Sequence, residues 1–397
     1  MTDRPIIEAP SFSETGFFRL AAERSEVPRA GVSTGPLVGG RMVIDGCDAV
    51  RVTFRCAGDG ASVAYLVLNT VTDRARDRLE LFRMERVRGV NLWAASCALP
   101  ADVIMSYQFV PVGPGGLDSR VADDRRAWAR VLASAVRDRS HPRALVNGRG
   151  HVASLFAGPD ARLVWPAVEG VSSDMRAARE VECAVPLAPD GASPRQRAVV
   201  VHDGEGAPVR TLMLFDGQIW RANGVGWLTR RYRGLRVITI DVGAAREREA
   251  VLTDVALVDA LIRSICDEVG VGPVTIAGQS YGGLAVLEAA LRTDIDVDVV
   301  IAQSPSLWWG GEHRGVGEGT LMGDLRAGWV RPRAGVTLRL QVGTLEQTMR
   351  PVVDECAELL RNLGAAVELD HYRGGHDVAW WREGLVRVLD GWWPLTS

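Results

Sequence analysis

Three side chains in the C-terminal third of the sequence have the types and the order that nucleophilic hydrolysis requires. Gly278-Gln279-Ser280-Tyr281-Gly282 is a G-x-S-x-G pentapeptide. A serine hydroxyl attacks poorly at neutral pH unless a neighbouring base takes its proton, and histidine, whose pKa lies near neutrality, is the usual base. His376 follows Arg373-Gly374-Gly375 in a loop between the last strand and the last helix, so it is the candidate base. His371 reads as a strand residue, and His313 is a weaker rival. Glu346, in Gly343-Thr344-Leu345-Glu346-Gln347, lies just past a strand and is the candidate acid, placed to hold the imidazole tautomer and stabilise the imidazolium. Asp377 and Asp354 are alternative acids, and a Ser-His dyad is the alternative arrangement. Two backbone donors are needed for the oxyanion: the N–H of Tyr281, next to the nucleophile, and the N–H of Gln218 in the turn Asp216-Gly217-Gln218.

The pentapeptide is short enough to arise by chance, and its setting makes it specific. The apolar strand Val274–Ala277 precedes it and the helical stretch Gly283–Leu291 follows, which is the strand–elbow–helix context the motif requires. So tight a turn brings positions two either side of the serine into collision, so glycine is needed at both. The helix N-terminus behind the serine favours developing negative charge. Further strands are read at Thr211–Phe215, Leu235–Ile240, Val297–Ala302, Thr337–Val342 and Val367–Tyr372. Helices are read at Ala256–Val269, Met349–Leu363 and Ala379–Trp392. Continuous apolar strands alternating with helices predict a parallel sheet covered on both faces, with ligands at the carboxyl ends of its strands. In an α/β-hydrolase domain the triad runs serine, acid, histidine along the chain, the order found here.

The N-terminal half has a different period. Apolar and polar residues alternate in Val50–Arg55, and similar short runs are Ser62–Leu68, Leu79–Met84, Leu92–Ala98 and Ile104–Val110. Gly, Asp, Asn and Pro separate them, the pattern of an antiparallel β-sandwich. One helical stretch, Arg125–Val136, follows. The expected organisation is an irregular segment over 1–40, a smaller β-sandwich (Ig-like) domain over 41–155, a linker over 156–195 and the α/β-hydrolase catalytic domain over 196–397.

Composition narrows the function. A chain of 397 residues with 47% apolar and 24% charged residues is globular and long enough for two domains. A net charge of -3 offers no global field for nucleic acid or an anionic membrane, and neither is an expected partner. There is no lysine: all 46 basic residues are arginine, which excludes a P-loop lysine, a Schiff-base lysine and a Ser-Lys dyad. The start, Met1-Thr2-Asp3-Arg4-Pro5, lacks the basic and apolar regions of a signal peptide, and no stretch of eighteen uninterrupted apolar residues occurs. The six cysteines are scattered without a C-x-x-C, which fits reduced thiols in a cytoplasmic protein.

Four segments in order, Phe215-Asp216-Gly217-Gln218-Ile219-Trp220, Gly278–Leu284, Gln303-Ser304-Pro305-Ser306-Leu307-Trp308-Trp309 and Gly374–Arg382, together resemble the enterochelin (enterobactin) esterases. Asn91-Leu92-Trp93, Tyr107–Pro111 and Gly148-Arg149-Gly150-His151 resemble that family's N-terminal β-sandwich domain, so the likeness runs over about residues 45–395. It implies a cytoplasmic serine esterase that cuts the ester bonds of a catecholate trilactone siderophore after its ferric complex enters the cell. Iron release follows because the linear fragment chelates less tightly. It also implies kinship with antigen 85-like acyltransferases and feruloyl esterases. The family carries Arg-Glu-Pro where this chain has Leu345-Glu346-Gln347, so the glutamate matches and its neighbours differ.

A ferric tris-catecholate is flat-ringed and strongly anionic, so it calls for aromatic faces and arginines. The expected substrate contacts are Trp308, Trp309, Arg314, Arg246, Trp380 and Arg382, with Trp381, Arg248 and His313 nearby in sequence. No metal or organic cofactor is expected, since iron arrives as part of the substrate. Two other readings are another carboxylesterase or acyltransferase of the same superfamily, and a non-catalytic protein that binds an aryl ligand.

Overall fold

The computed structural model describes residues 12–20, 35–58, 60–166, 178–185, 195–243, 245–310 and 319–391. They form two compact units. The first holds the described residues up to Leu163 together with Arg373–Ala379, and the second holds those of Val164–Tyr372 and from Trp380 on.

The first unit is a β-sandwich. Its strands are β1 (Phe18–Arg19), β2 (Leu37–Ile44), β3 (Cys47–Ala57), β4 (Val63–Leu68), β5 (Glu85–Arg86), β6 (Leu92–Pro100), β7 (Ile104–Val112), β8 (Ala144–Val146) and β9 (Val152–Ala157). One antiparallel sheet has the order β1-β6-β3-β2, with β5 also on β6, and the other has the order β4-β7-β9-β8. Asp45 and Gly46, both at positive φ (49° and 75°), make the two-residue turn between β2 and β3. The sheets meet through alternate apolar side chains: Phe54 of β3 packs edge-on against Tyr107 of β7 and Phe156 of β9, with centroids 4.8 and 5.7 Å apart. Helices α1 (Phe12–Thr15), α2 (Val71–Arg74) and α3 (Arg125–Ala133) complete the unit.

The second unit is built on one sheet. Its strands are β10 (Ala178–Val185), β11 (Arg195–Asp203), β12 (Arg210–Phe215), β13 (Leu235–Ile240), β14 (Val274–Gln279), β15 (Val299–Gln303), β16 (Thr337–Gly343) and β17 (Ala366–Tyr372). They lie in the order β10-β11-β13-β12-β14-β15-β16-β17. The six from β13 to β17 run parallel, while β10 and β11 are antiparallel. The helices are α4 (Gly217–Ala222), α5 (Leu228–Arg231), α6 (Ala245–Leu252), α7 (Val255–Val269), α8 (Tyr281–Arg292), α9 (Thr320–Ala327), α10 (Arg350–Asn362) and α11 (Val378–Asp390). Alternate strand residues feed opposite cores. Met213 and Phe215 join α7 (Val258, Leu261, Ile262, Ile265) and α10 (Val353, Cys356, Ala357, Leu360), whereas Leu212 and Leu214 join Trp220, Leu228, Leu385 and Leu389. Burial on both faces explains why these strands read as continuous apolar runs. The sequence goes from β12 to β13 on one side and then to β14 on the other, so the sheet switches direction at β12. Ligand crevices form at such switch points, beyond the carboxyl ends of the strands.

Four expectations change. The stretch 156–195, read as a linker, contains β10, whose polar-apolar run Arg179-Glu180-Val181-Glu182 fits an edge strand and pairs antiparallel with β11. The segment 1–40, read as irregular, contributes β1, which pairs with β6, and the start of β2. Leu79–Met84 alternates like a strand, yet Arg76–Phe82 forms 3-10 turns that bury Leu79 and Phe82. The loop 373–379 belongs to the sandwich unit although the sequence places it between β17 and α11.

Candidate active site

The elbow is laid down by two glycines. A Cβ at position 278 would lie 2.3 Å from the Gly282 carbonyl, and one at position 283 would lie 3.0 Å from the Pro305 Cα. Only glycine at these positions lets β14 turn directly into α8. Ser280 sits at the apex with φ 56° and ψ −118°, a conformation non-glycine residues rarely adopt. Its amide donates to the Gln303 carbonyl (3.0 Å) and its carbonyl accepts from the Ser306 amide (3.0 Å), so the turn is pinned to the end of β15. The Ser280 Oγ lies 3.2 Å from the Ser306 Oγ.

Tyr281 and Gln218, the two expected oxyanion donors, occupy first-turn positions of α8 and α4. Asp216 follows β12 in the left-handed region (φ 59°), and its carboxylate takes a two-pronged ion pair from Arg248 at 2.5 and 2.7 Å. Burial disfavours the charged guanidinium, but the hydrogen bonds it donates to Asp216 and the charge of that carboxylate outweigh it and hold the Arg248 pKa above its ordinary value. Position 217 must be glycine because a Cβ there would lie 2.7 Å from the Ile240 amide of β13.

Glu346 is fully buried in the turn after β16. Its Oε1 accepts from the Ser304 hydroxyl (2.5 Å) and from the Gly343 amide (2.9 Å). Ser304, itself at φ 44°, also accepts from the Trp381 indole N–H at 3.0 Å. Buried amides extend the lattice: Gln303 Nε2 donates to Gln341 Oε1 (2.7 Å), and Gln341 Nε2 donates to the Tyr372 hydroxyl (3.0 Å). These bonds tie the ends of β15, β16 and β17 to one another.

The other candidates separate clearly. His376 lies in the 373–379 segment, half-buried, with its amide donating to Thr70 Oγ1 at 2.7 Å. His371 is a strand residue bonded through Nε2 to Asp354 (2.6 Å), which also accounts for that alternative acid. Asp377 is buried and accepts the Ser106 and Ala379 amides at 2.6 and 3.0 Å, and burial raises its pKa. Trp308 is 38% exposed beside Tyr281, with ring centroids 5.7 Å apart, while Trp309 packs partly against the core. Arg246 is exposed on α6. Arg314 and His313 lie outside the described residues.

Trp380 and Arg382 correct the sequence reading. Trp380 is fully buried and stacks on Tyr372 at 4.8 Å, and Arg382 is 1% exposed, over the Trp165 ring and near Asn223 Oδ1 (3.4 Å). Both are packing residues, because α11 turns that face into the sheet core. Sequence reasoning passed over Ser304, Ser306 and the Arg248–Asp216 pair. The two serines were visible in the segment Gln303–Trp309 directly after a strand, where functional side chains collect.

Comparison with known proteins finds relatives of both portions of the chain. Residues 51–165 match the enterochelin esterase N-terminal family, and residues 256–391 match the Esterase family. An iron(III) enterobactin esterase of Escherichia coli K12 is 27% identical over 338 residues, covering 79% of this chain and 82% of that protein. An iron(III) salmochelin esterase of Escherichia coli O6:H1 is 25% identical over 349 residues, covering 81% and 82%. The fold matches the crystal structure of the ferric enterobactin esterase of Salmonella typhimurium with a TM-score of 0.74, at 24% identity over 90% of this chain and 96% of that one. The sandwich portion thus matches the enterochelin esterase N-terminal family and the hydrolase portion matches the Esterase family, both halves are similar to enterobactin and salmochelin esterases, and the chain hydrolyses ester bonds.

Proposed function

We propose that this protein cleaves the ester bonds of a catecholate trilactone siderophore, taken as its ferric complex, in the cytoplasm. The observation that carries the substrate class is that relatives named for enterobactin and salmochelin ester cleavage align with both halves of the chain, over 79–81% of its length. The sandwich is thus included, and not the hydrolase portion alone.

In this reading Ser280 attacks the ester carbonyl while His376 removes its proton. The tetrahedral oxyanion accepts from the amides of Tyr281 and Gln218. Collapse breaks the ester C–O bond, His376 returns the proton to the departing alkoxide, and an acyl-Ser280 remains. Water, deprotonated by His376, then releases the acid and restores Ser280. Glu346 orients the imidazole; its burial and its two donors suit a carboxylate whose task is to stay fixed. His376 stands four residues beyond Tyr372 of β17 and two before α11, the chain position a triad histidine takes in this fold. Trp308 offers an exposed aromatic face beside the nucleophile turn, suited to a catecholate ring. Trp309, Arg314 and Arg246 complete the proposed binding set.

Purified protein incubated with cyclic and linear catecholate trilactones, iron-loaded and iron-free, is expected to release linear fragments detectable by mass spectrometry. Intact trilactones alongside cleaved simple esters would overturn the substrate class and leave the esterase. Preferential acyl transfer to a sugar would instead place the chain with the acyltransferases.

A further inference from the structure

We propose that Thr70 of the sandwich unit is a positioning residue for the His376 base, its hydroxyl fixing the backbone of the loop that carries the imidazole. The inference rests on His376 acting as the base, as proposed above.

The loop 373–379 is tied at successive points. The Ile104 amide donates to the Arg373 carbonyl at 3.0 Å, and the Arg373 guanidinium reaches Asp102 at 3.3 Å. The His376 amide donates to Thr70 Oγ1 at 2.7 Å. The Ser106 amide donates to the buried Asp377 carboxylate at 2.6 Å. Between these ties Gly375 lies against Thr70 so closely that a Cβ would come within 2.4 Å of the threonine's own Cβ and Oγ1. Glycine at 375 and threonine at 70 therefore fit as a pair.

Thr70 is held for this purpose in an unfavourable state. Its φ is 68°, which is a true outlier for a β-branched residue. Such strain persists only where the surroundings over-determine it, and it gathers at functional positions. Here the surroundings are specific. The Thr70 amide donates to Asp73 Oδ2 (3.2 Å), and its carbonyl accepts from the Arg74 amide (3.1 Å). Asp73 is held in turn by the Trp128 indole N–H (2.5 Å) and by Arg149 (3.3 Å). The Asn69 amide donates to the Ser106 carbonyl at 3.0 Å, so the strand that binds Asp377 also seats the Thr70 turn. Left-handed geometry at position 70 is what aims the hydroxyl at the His376 amide. A base must sit within a few tenths of an ångström of its productive place, and a small displacement far from the chemistry costs rate heavily.

The test compares Thr70→Val, which keeps the branched shape and removes the acceptor, with Thr70→Ser, which keeps the hydroxyl. Both are assayed on p-nitrophenyl butyrate with folding checked by circular dichroism. Thr70→Val is expected to lower kcat about tenfold or more with KM unchanged, and to slow fluorophosphonate labelling of Ser280 in parallel. Thr70→Ser is expected to stay close to the parent protein. A folded Thr70→Val protein with the parent kcat, while His376→Ala abolishes turnover, overturns the inference. If Thr70→Val does not fold, Thr70→Ala decides: a lower kcat at constant KM beside a near-parental Thr70→Ser supports the positioning role, and an unchanged kcat overturns it. Full turnover by His376→Ala is a separate outcome and removes the reading of the base itself.

Discussion

At the scale of single residues, the candidate chemistry rests on a strained serine. Ser280 at φ 56° and ψ −118° exposes its hydroxyl at the cost of about 1–3 kcal/mol of backbone strain. Ser280→Ala is expected to abolish hydrolysis while keeping the strain and the fold. Ser280→Gly, equally inactive, should be the more stable by about 1 kcal/mol in denaturant unfolding, because glycine accepts positive φ freely. Equal midpoints for the two variants would show that the elbow stores no strain. Glu346→Gln keeps an acceptor for Ser304 and the Gly343 amide and removes the charge. It is expected to cut kcat about a hundredfold or more if the carboxylate stabilises the imidazolium. An unchanged rate would leave a Ser-His dyad.

The elements decide which aromatic and basic residues are free for a substrate. Helix α11 packs its Leu385, Val386 and Leu389 against the sheet, and the same rotation buries Trp380 and Arg382. Trp380→Ala is therefore expected to destabilise the protein by about 3–5 kcal/mol in denaturant unfolding. Trp308→Ala is expected to raise KM for aryl esters and to leave the unfolding midpoint near its parent value, since that ring is partly exposed. A reversal of these two effects would mean that the roles of the two tryptophans have been misassigned. The elbow belongs to this scale too: Gly278→Ala drives a methyl into the Gly282 backbone, so loss of labelling at Ser280 should accompany loss of stability.

For the molecule as a whole, two of the buried acids, Glu288 and Asp377, are expected to make stability fall with rising pH. Burial raises the pKa of Glu288, with Arg292 opposing, and burial raises that of Asp377. Each binds its proton more tightly in the folded state than in the unfolded chain. Their contribution is complete below the ordinary carboxylate range, about 4, and is lost as pH rises through the raised values. The hydrogen bond from Arg120 instead holds Asp118 down to about 2, which works in the opposite direction, but that carboxylate is exposed and solvent screens its effect. Glu288→Gln combined with Asp377→Asn should flatten the fall of Tm with rising pH. An unaltered slope would show that these acids are not its source.

How much of this was legible in the sequence differs between the two units. Val274–Ala277, the pentapeptide and the helix after it announce an elbow because glycine spacing, strand period and helix period are local properties. Six parallel strands were readable because burial on both faces leaves continuous apolar runs. Strand β10 was missed because an edge strand with polar residues reads like a connection. The fate of Trp380, Arg382 and Arg248 was not readable, since it depends on which way a helix faces and which carboxylate it meets. The tie of Thr70 to a histidine loop 306 residues away was equally hidden. Residue type and spacing by themselves determined that a serine, a histidine and a carboxylate stand at the ends of strands in hydrolase order. Only the tertiary structure decided which neighbours hold them, because hydrogen bonds and burial join residues by distance in space.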